Sequence, residues 1–339
     1  MADENKAVVT QQEYGRPKGG KFRRHCARWW WVHLIIFICI AVLVVCLVIF
    51  VGVPHIAQQR INKATLEVQS IVVTHTQSEN FTMSIGSTIH ADDSVHAVID
   101  PFVGEMYLED LEPHTPFAEV NFPQTSSKSH QIVNVTQQFV PIKNMEAFTT
   151  FNTWLLLNET LRVTVKGKTH VKVSGIGKKF SVDFKKTITM PGIQDFKGTT
   201  VPESEISIMP DDNGDNFKGI TTIPNRSIVT FEIGNVSFHN YLLGEEIGTV
   251  YIDNMILRPG VNNYSMHANI SQAPVLEAIA QKPYCQTGII PFQLRGKTVF
   301  NHGQPLSYFA DALASANQTV EIDIGTDLKA ALNYTLSCS

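Results

Sequence analysis

An unbroken apolar run from Val32 to Val53, close to the N-terminus, constrains this chain more than any other feature. From Trp29 to Val53 there is no Lys, Arg, Asp or Glu. As a helix, the 22 residues from Val32 rise about 33 Å, enough for a hydrocarbon core of about 30 Å. A surface that is apolar all round suits lipid and not the half-wet position of a globular helix. A cleavable signal would carry a shorter core, of about 7–15 residues, and a small-x-small site; Val51-Gly-Val-Pro54 is a poor one. The expected element is a transmembrane helix over residues 29–53, with Trp29, Trp30 and Trp31 at the interface.

Charge orients that helix. Arg16, Lys18, Lys21, Arg23, Arg24 and Arg28 precede it, and only Arg60 and Lys63 follow closely. Residues 1–31 hold 7 basic and 3 acidic residues (net +4), so the chain total of −4 leaves −8 beyond them. The positive-inside rule then predicts single-pass type II topology, with a cytosolic N-terminus and a lumenal C-terminal part. Residues 1–28 hold little apolar material and are expected to form a disordered basic tail. A basic tail beside anionic lipid, followed by an acidic bulk, argues against nucleic acid as a partner.

Nine N-x-Ser/Thr triplets begin at Asn80, Asn134, Asn158, Asn225, Asn235, Asn263, Asn269, Asn317 and Asn333, all beyond the helix. Together they point to a glycosylating compartment and a glycoprotein. Cys285 and Cys338 are the lumenal pair, for which an oxidising lumen favours a disulfide. Cys39 and Cys46 fall in the membrane, and Cys26 is a juxtamembrane palmitoylation candidate.

From about Thr65 onward the pattern is β. Period-two alternation runs through Phe81–Ile85, Leu161–Val165, Phe180–Phe184, Phe231–Ile233 and Val320–Ile324, with Gly and Pro punctuating at short intervals. Helical spacing interrupts it twice, in Phe148, Phe151, Trp154, Leu155 and in Leu306, Phe309, Leu313. Each helix precedes a triplet and a strand, Asn158-Glu-Thr-Leu-Arg-Val against Asn317-Gln-Thr-Val-Glu-Ile. Upstream, Gly104-Glu-Met-Tyr matches Gly248-Thr-Val-Tyr, and Met83-Ser-Ile-Gly86 matches Phe231-Glu-Ile-Gly234. This order predicts two tandem β-sandwich domains, 65–198 and 199–339, each with one short helix, joined through a Pro-, Gly- and acid-rich stretch from Pro191 to Lys218.

The segment Ile223-Pro-Asn-Arg-Ser-Ile-Val-Thr-Phe-Glu-Ile-Gly to Gly248 resembles the late-embryogenesis-abundant type-2 (LEA-2) domain. Ile256-Leu-Arg-Pro-Gly-Val-Asn262 and the one-pass anchor resemble the fungal family built on domain of unknown function 3712 (DUF3712). The resemblance implies a fibronectin-like β-sandwich on a vacuolar or other endomembrane protein, and it supplies no catalytic residues.

The residues themselves point to no catalytic, metal or cofactor site. Asp211-Asp-Asn-Gly-Asp-Asn216 departs from a calcium-loop frame at Asn216 and Thr222. Gly175-Ile-Gly177-Lys178 lacks the phosphate-loop spacing. Asp92-Asp93 and Glu245-Glu246 are neighbours that a strand would turn to opposite faces. Of the histidines, only His90 and His96 have a spacing that even weakly suits a metal, although imidazoles in an acidic lumen would charge between about pH 7 and 5. The expected function is non-enzymatic presentation of glycosylated β-domains to a lumenal protein partner at the membrane. The alternative is binding or transfer of a lipid or other apolar ligand, with Phe139, Ile142, Trp154 and Leu155–Leu157 as groove candidates.

Overall fold

The computed structural model describes residues 20–91, 97–126, 129–333 and 335–338, with side chains from residue 29 onward. The chain divides into two compact units, residues 1–56 and 57–339. In the first, α1 (Gly20–Leu47) leaves helical dihedrals at Trp29 (φ −119°, ψ 18°) and continues through a π-helical turn (Val48–Gly52) into α2 (Val53–Lys63). The helix thus begins at Gly20, inside the stretch expected to be disordered. Its apolar part is exposed on every side, has a mean hydropathy of 3.7, and is long enough to cross a bilayer once.

The second unit is mainly β, with sheets in a sandwich-like arrangement. Its first half contains β1 (Thr65–Thr74), β2 (Asn80–His90), β3 (Ala97–Ile99), β4 (Phe102–Leu108), β5 (Ala118–Phe122), β6 (Thr125–Ser126), β7 (His130–Pro141), α3 (Met145–Leu157), β8 (Thr160–Val173) and β9 (Lys179–Pro191). Its second half contains β10 (Thr200–Ile206), β11 (Phe217–Asn225), β12 (Val229–Leu242), β13 (Glu245–Leu257), β14 (Gly260–Ile270), α4 (Gln272–Ile279), α5 (Tyr284–Thr287), β15 (Ile289–Asn301), β16 (Gln304–Pro305), α6 (Ser307–Ala314), β17 (Gln318–Asp323) and α7 (Ile324–Leu332). The alternating segments become strands because they bury one face only: in β2, Phe81, Met83 and Ile85 are buried while the residues between them are not. The two helically spaced segments are α3 and α6, and the second half adds α4, α5 and α7 to them.

Two sheets organise these strands. One runs β5-β4-β8 with β3, β6 and β9 attached; the other has eleven strands in the order β10-β11-β14-β13-β12-β1-β2-β7, with β15, β16 and β17 branching from β12. This larger sheet takes strands from both halves. The free edge of β12 is divided: Val229–Phe231 pairs in parallel with Ile71–Val73, while Asn235–Leu242 pairs antiparallel with β15. Gly234 (φ +92°) stands at the changeover, where a Cβ would lie 2.4 Å from the Phe300 carbonyl oxygen. Only glycine tolerates both conditions.

The halves also meet through their equivalent helices. The Phe148 ring of α3 lies 4.9 Å from Tyr308 of α6, and Phe81 stacks on Phe148 at 5.2 Å. Tyr308 is fully buried and its hydroxyl donates to the Gln77 carbonyl at 3.0 Å; burial pushes the phenol up, so it remains a donor. The stretch from Pro191 to Lys218 is packed and contains β10. The N–H groups of Ile193 and Asp195 donate to the last carbonyls of α3, at Leu155 and Leu156. Gln194, Asp195 and Phe196 then form a left-handed turn with φ of 59°, 53° and 51°.

With a divided edge and paired helices, the halves should unfold together. In a chain whose Trp29, Trp30 and Trp31 are replaced by Phe, Trp154 of α3 is the remaining tryptophan. Leu306→Ala, a fully buried position next to α6, is expected to lower the urea midpoint of Trp154 fluorescence by the equivalent of about 2–5 kcal/mol. An unmoved midpoint would show that the halves unfold separately.

Candidate functional site

The strands of the second half curl until β10 lies beside β17. Their inward phase is large and apolar, with Phe217, Phe238, Val250, Met266, Phe292 and Val320 around a cavity between the curled faces. The space open to the centre of a water molecule there is ≈ 50 Å³. Phe196, presented by the left-handed turn, forms part of the wall.

At one end Ile270 belongs both to this cavity and to a surface groove of ≈ 160 Å³, measured the same way. The groove lies where β10, β14 and β17 finish, and Ile206, Ile208, Val275, Leu276, Leu328 and Leu332 line it. Ile208 (60 %) and the adjacent Met209 (80 %) remain exposed, as do Leu276 and Leu332. Two helices flank it because two strands end in helix-start signals. Asp323 caps α7, accepting from the Thr326 N–H at 3.0 Å and the Thr326 hydroxyl at 2.8 Å. On α4, Pro274 occupies the first turn, where a missing N–H costs nothing.

Buried polar contacts hold this end. The Ser204 hydroxyl of β10 donates to Asp327 of α7 at 2.5 Å. Burial pushes the Asp327 carboxyl up; the Ser204 bond opposes this, and the nearby negative charges of Asp323 and Glu205 add to it. Cys285 and Cys338 are disulfide-bonded, with Cα atoms 5.2 Å apart, tying the segment after α7 to α5. In the cavity wall, Gln318 donates to Asp195, and Thr221 donates to the Thr200 carbonyl at 3.4 Å. Asn240 also lines the cavity and is 5 % exposed, but its Oδ1 has no hydrogen-bond partner.

The triplet asparagines separate into groups. Asn134, Asn158, Asn235, Asn263, Asn269, Asn317 and Asn333 are exposed and Asn80 is half-buried. Asn225 differs from these expectations. It is 2 % exposed, its Nδ2 donates to the Val229 carbonyl at 2.8 Å, and its Oδ1 accepts from the N–H and hydroxyl of Ser227 at 2.9 and 2.7 Å. The nitrogen that would carry a sugar is buried inside the β11–β12 turn, so Asn225 is a turn residue in the folded protein.

The groove candidates read from sequence do not meet in one site. Phe139 is exposed on β7, whereas Leu155 and Leu156 are core and line a small void with Asn152. Asp211 accepts from the N–H groups of Asn213 and Asp215 and pairs with Lys218 at 2.8 Å, which makes 211–216 an acidic turn. Asp92, Asp93, His96 and the side chain of Cys26 lie outside the described residues. Among the described residues, no three His, Cys, Asp or Glu side chains are grouped to hold a metal. Sequence spacing gave no sign of one polar cluster. There Glu232 accepts from the His75 N–H (2.6 Å), Asn301 (3.2 Å) and His302 (2.8 Å). Burial opposes its ionisation, but these donors prevail and hold the carboxylate below its usual range.

A family model described as "Protein of unknown function (DUF3712)" matches residues 115–240, from the approach to β5 into β12. No curated protein matches the chain. Two solved structures of a bacterial adhesin from Mobiluncus mulieris, containing intramolecular disulfide, isopeptide and ester bond cross-links, are similar at 8 % and 10 % identity. They align over 74 % and 76 % of this chain and 84 % and 98 % of theirs, with TM-scores of 0.18 and 0.19, values at which the likeness carries no argument. None of these matches indicates an enzyme family.

Two outcomes follow from the buried polar groups. Asn225→Gln expressed in a glycosylating host is expected to keep the wild-type glycan count by mass spectrometry, and Asn225→Ala to lose about 1–3 kcal/mol of stability. A lost glycan would place Asn225 outside the folded turn. For Asp327, the raised folded-state pKa means its contribution is complete below the ordinary carboxylate range and disappears as pH rises through the raised value. Asp327→Asn should therefore be more stable than wild type at pH 7 and equal to it at about pH 3, compared by urea midpoints.

Proposed function

We propose that this chain is a membrane-anchored, non-enzymatic module that takes an aliphatic chain into the second β half. The observation that carries this reading is Ile270, shared by the walls of an apolar cavity between the curled strands and an exposed apolar groove. Water gains nothing on such a wall, whereas an aliphatic chain loses its own exposed surface there, at about 0.8 kcal/mol per CH₂. The apolar helix tethers the module to a bilayer, which is a source of such chains. Charge asymmetry and the exposed triplets support a type II orientation with the β unit in a lumen, and the LEA-2 and fungal likeness is what supports a vacuolar or related endomembrane.

A second reading, presentation of the β unit to a lumenal protein partner, is favoured by β7. Among the described residues this strand pairs only with β2, and it exposes Ile132 and Phe139. β5 lies beside this strand, its Asn121 N–H donating to Gln138, so what β7 offers a partner is the exposed apolar side chains and not an open edge.

The aliphatic reading is tested by photocrosslinking. Full-length protein in nanodiscs, irradiated with an alkyl-diazirine fatty acid, is expected to give adducts on cavity residues such as Met266. Val250→Phe, which fills the cavity at a stability cost of about 1–3 kcal/mol, should reduce those adducts severalfold. Adducts confined to Trp29–Lys63 would overturn the reading.

A further inference from the structure

The unpaired amide of Asn240 narrows the ligand to one chemical class, an inference that rests on the aliphatic reading above. A buried acceptor without a partner is uncommon in a folded protein and costs about 1–3 kcal/mol. Here it stands in a wall whose other polar side chains, Gln318, Thr221 and Thr199, are already donating to protein groups.

Its place in the sheet is specific. Across the ladder, Asn240 of β12 is opposite Gly248 of β13, and Gly248 is opposite Ile270 of β14. Asn240 therefore sits in the same row as the residue shared with the groove, and the residue between them has no side chain. The remaining apolar wall, including Phe238, Ile252 and Met255, continues from that row into the cavity. A ligand lying along this path would place its tail among those residues and its polar end beside the Asn240 oxygen.

We infer that the cavity selects an aliphatic chain ending in a neutral hydrogen-bond donor, an alcohol, over the same chain without the donor. The hydroxyl hydrogen would go to Asn240 Oδ1, satisfying an acceptor that an ether or alkane leaves bare. A charged head would not suit the row, because nothing of opposite charge lines the cavity and an unpaired buried ion is costly.

Fluorine NMR of 8-fluoro-octan-1-ol and of its methyl ether tests this, using full-length protein in nanodiscs with empty nanodiscs as the baseline for bilayer partition. The alcohol is expected to bind wild type about tenfold more tightly than the ether, and Asn240→Leu is expected to abolish the difference while both ligands still bind. Equal binding of the two by wild type would overturn the selectivity and leave the aliphatic reading standing, whatever the variant does. No binding of either above empty nanodiscs would overturn both.

Discussion

The divided edge of β12 is the constraint on which the rest of the second unit depends. A strand has two edges, and β12 gives one wholly to β13. Its other edge must serve β1 over Val229–Phe231 and β15 over Asn235–Leu242. The changeover at Gly234 sends one branch of the sheet into the first half and lets the other curl through β15 and β17 toward β10. The cavity exists because of that second branch. A sheet continuing flat from β12 would have no β17 near β10 to face. The parallel β1–β12 pairing also explains why α3 and α6 meet, since it brings the two halves side by side.

Three unfavourable features converge on this cavity. The void itself, ≈ 50 Å³, costs about 1 kcal/mol at about 24 cal/mol per Å³. The unsatisfied Asn240 oxygen adds about 1–3 kcal/mol. The left-handed residues Gln194, Asp195 and Phe196, which present Phe196 to the wall, add about 1–2 kcal/mol each. A fold selected for stability alone would remove them singly: Asn240→Leu alone would remove the orphaned acceptor. The strain on this wall is offset by packing elsewhere, here the aromatic cluster around Phe148 and Tyr308.

Much of this architecture was legible in the sequence, because period-two burial in β2, β8 and β12 and the helical spacing of α3 and α6 are local properties. The β1–β12 pairing was not: it joins residues far apart in sequence, and the alternation of Ile71–Val73 is compatible with any neighbour. Nor was the packing of the 191–218 stretch, since its Pro, Gly and acidic residues also describe a linker, and only the α3 carbonyls show what its N–H groups do. The cavity left one signal. In β12 the inward phase reads Val236, Phe238, Asn240, Leu242, and a lone amide in an otherwise apolar inward phase marks either a satisfied turn or a site.

That same period separates the two surfaces of the second half. Asn269 is exposed while Ile270 lines the cavity, and exposed Asn317 precedes Gln318 in the wall. Because neighbouring side chains on a strand point to opposite faces, a glycan on the outer phase and a ligand on the inner one do not compete. Asn225 is the exception that the period explains, since it shares the buried phase of β11 with Thr221 and Ile223. An acceptor triplet in that phase has no route to a sugar once the strand is paired, so the fold has turned its amide to closing the β11–β12 turn. A triplet on a strand therefore has to be read with its phase: on the outer face it is a candidate for modification, and on the inner face it is a structural or ligand-facing amide.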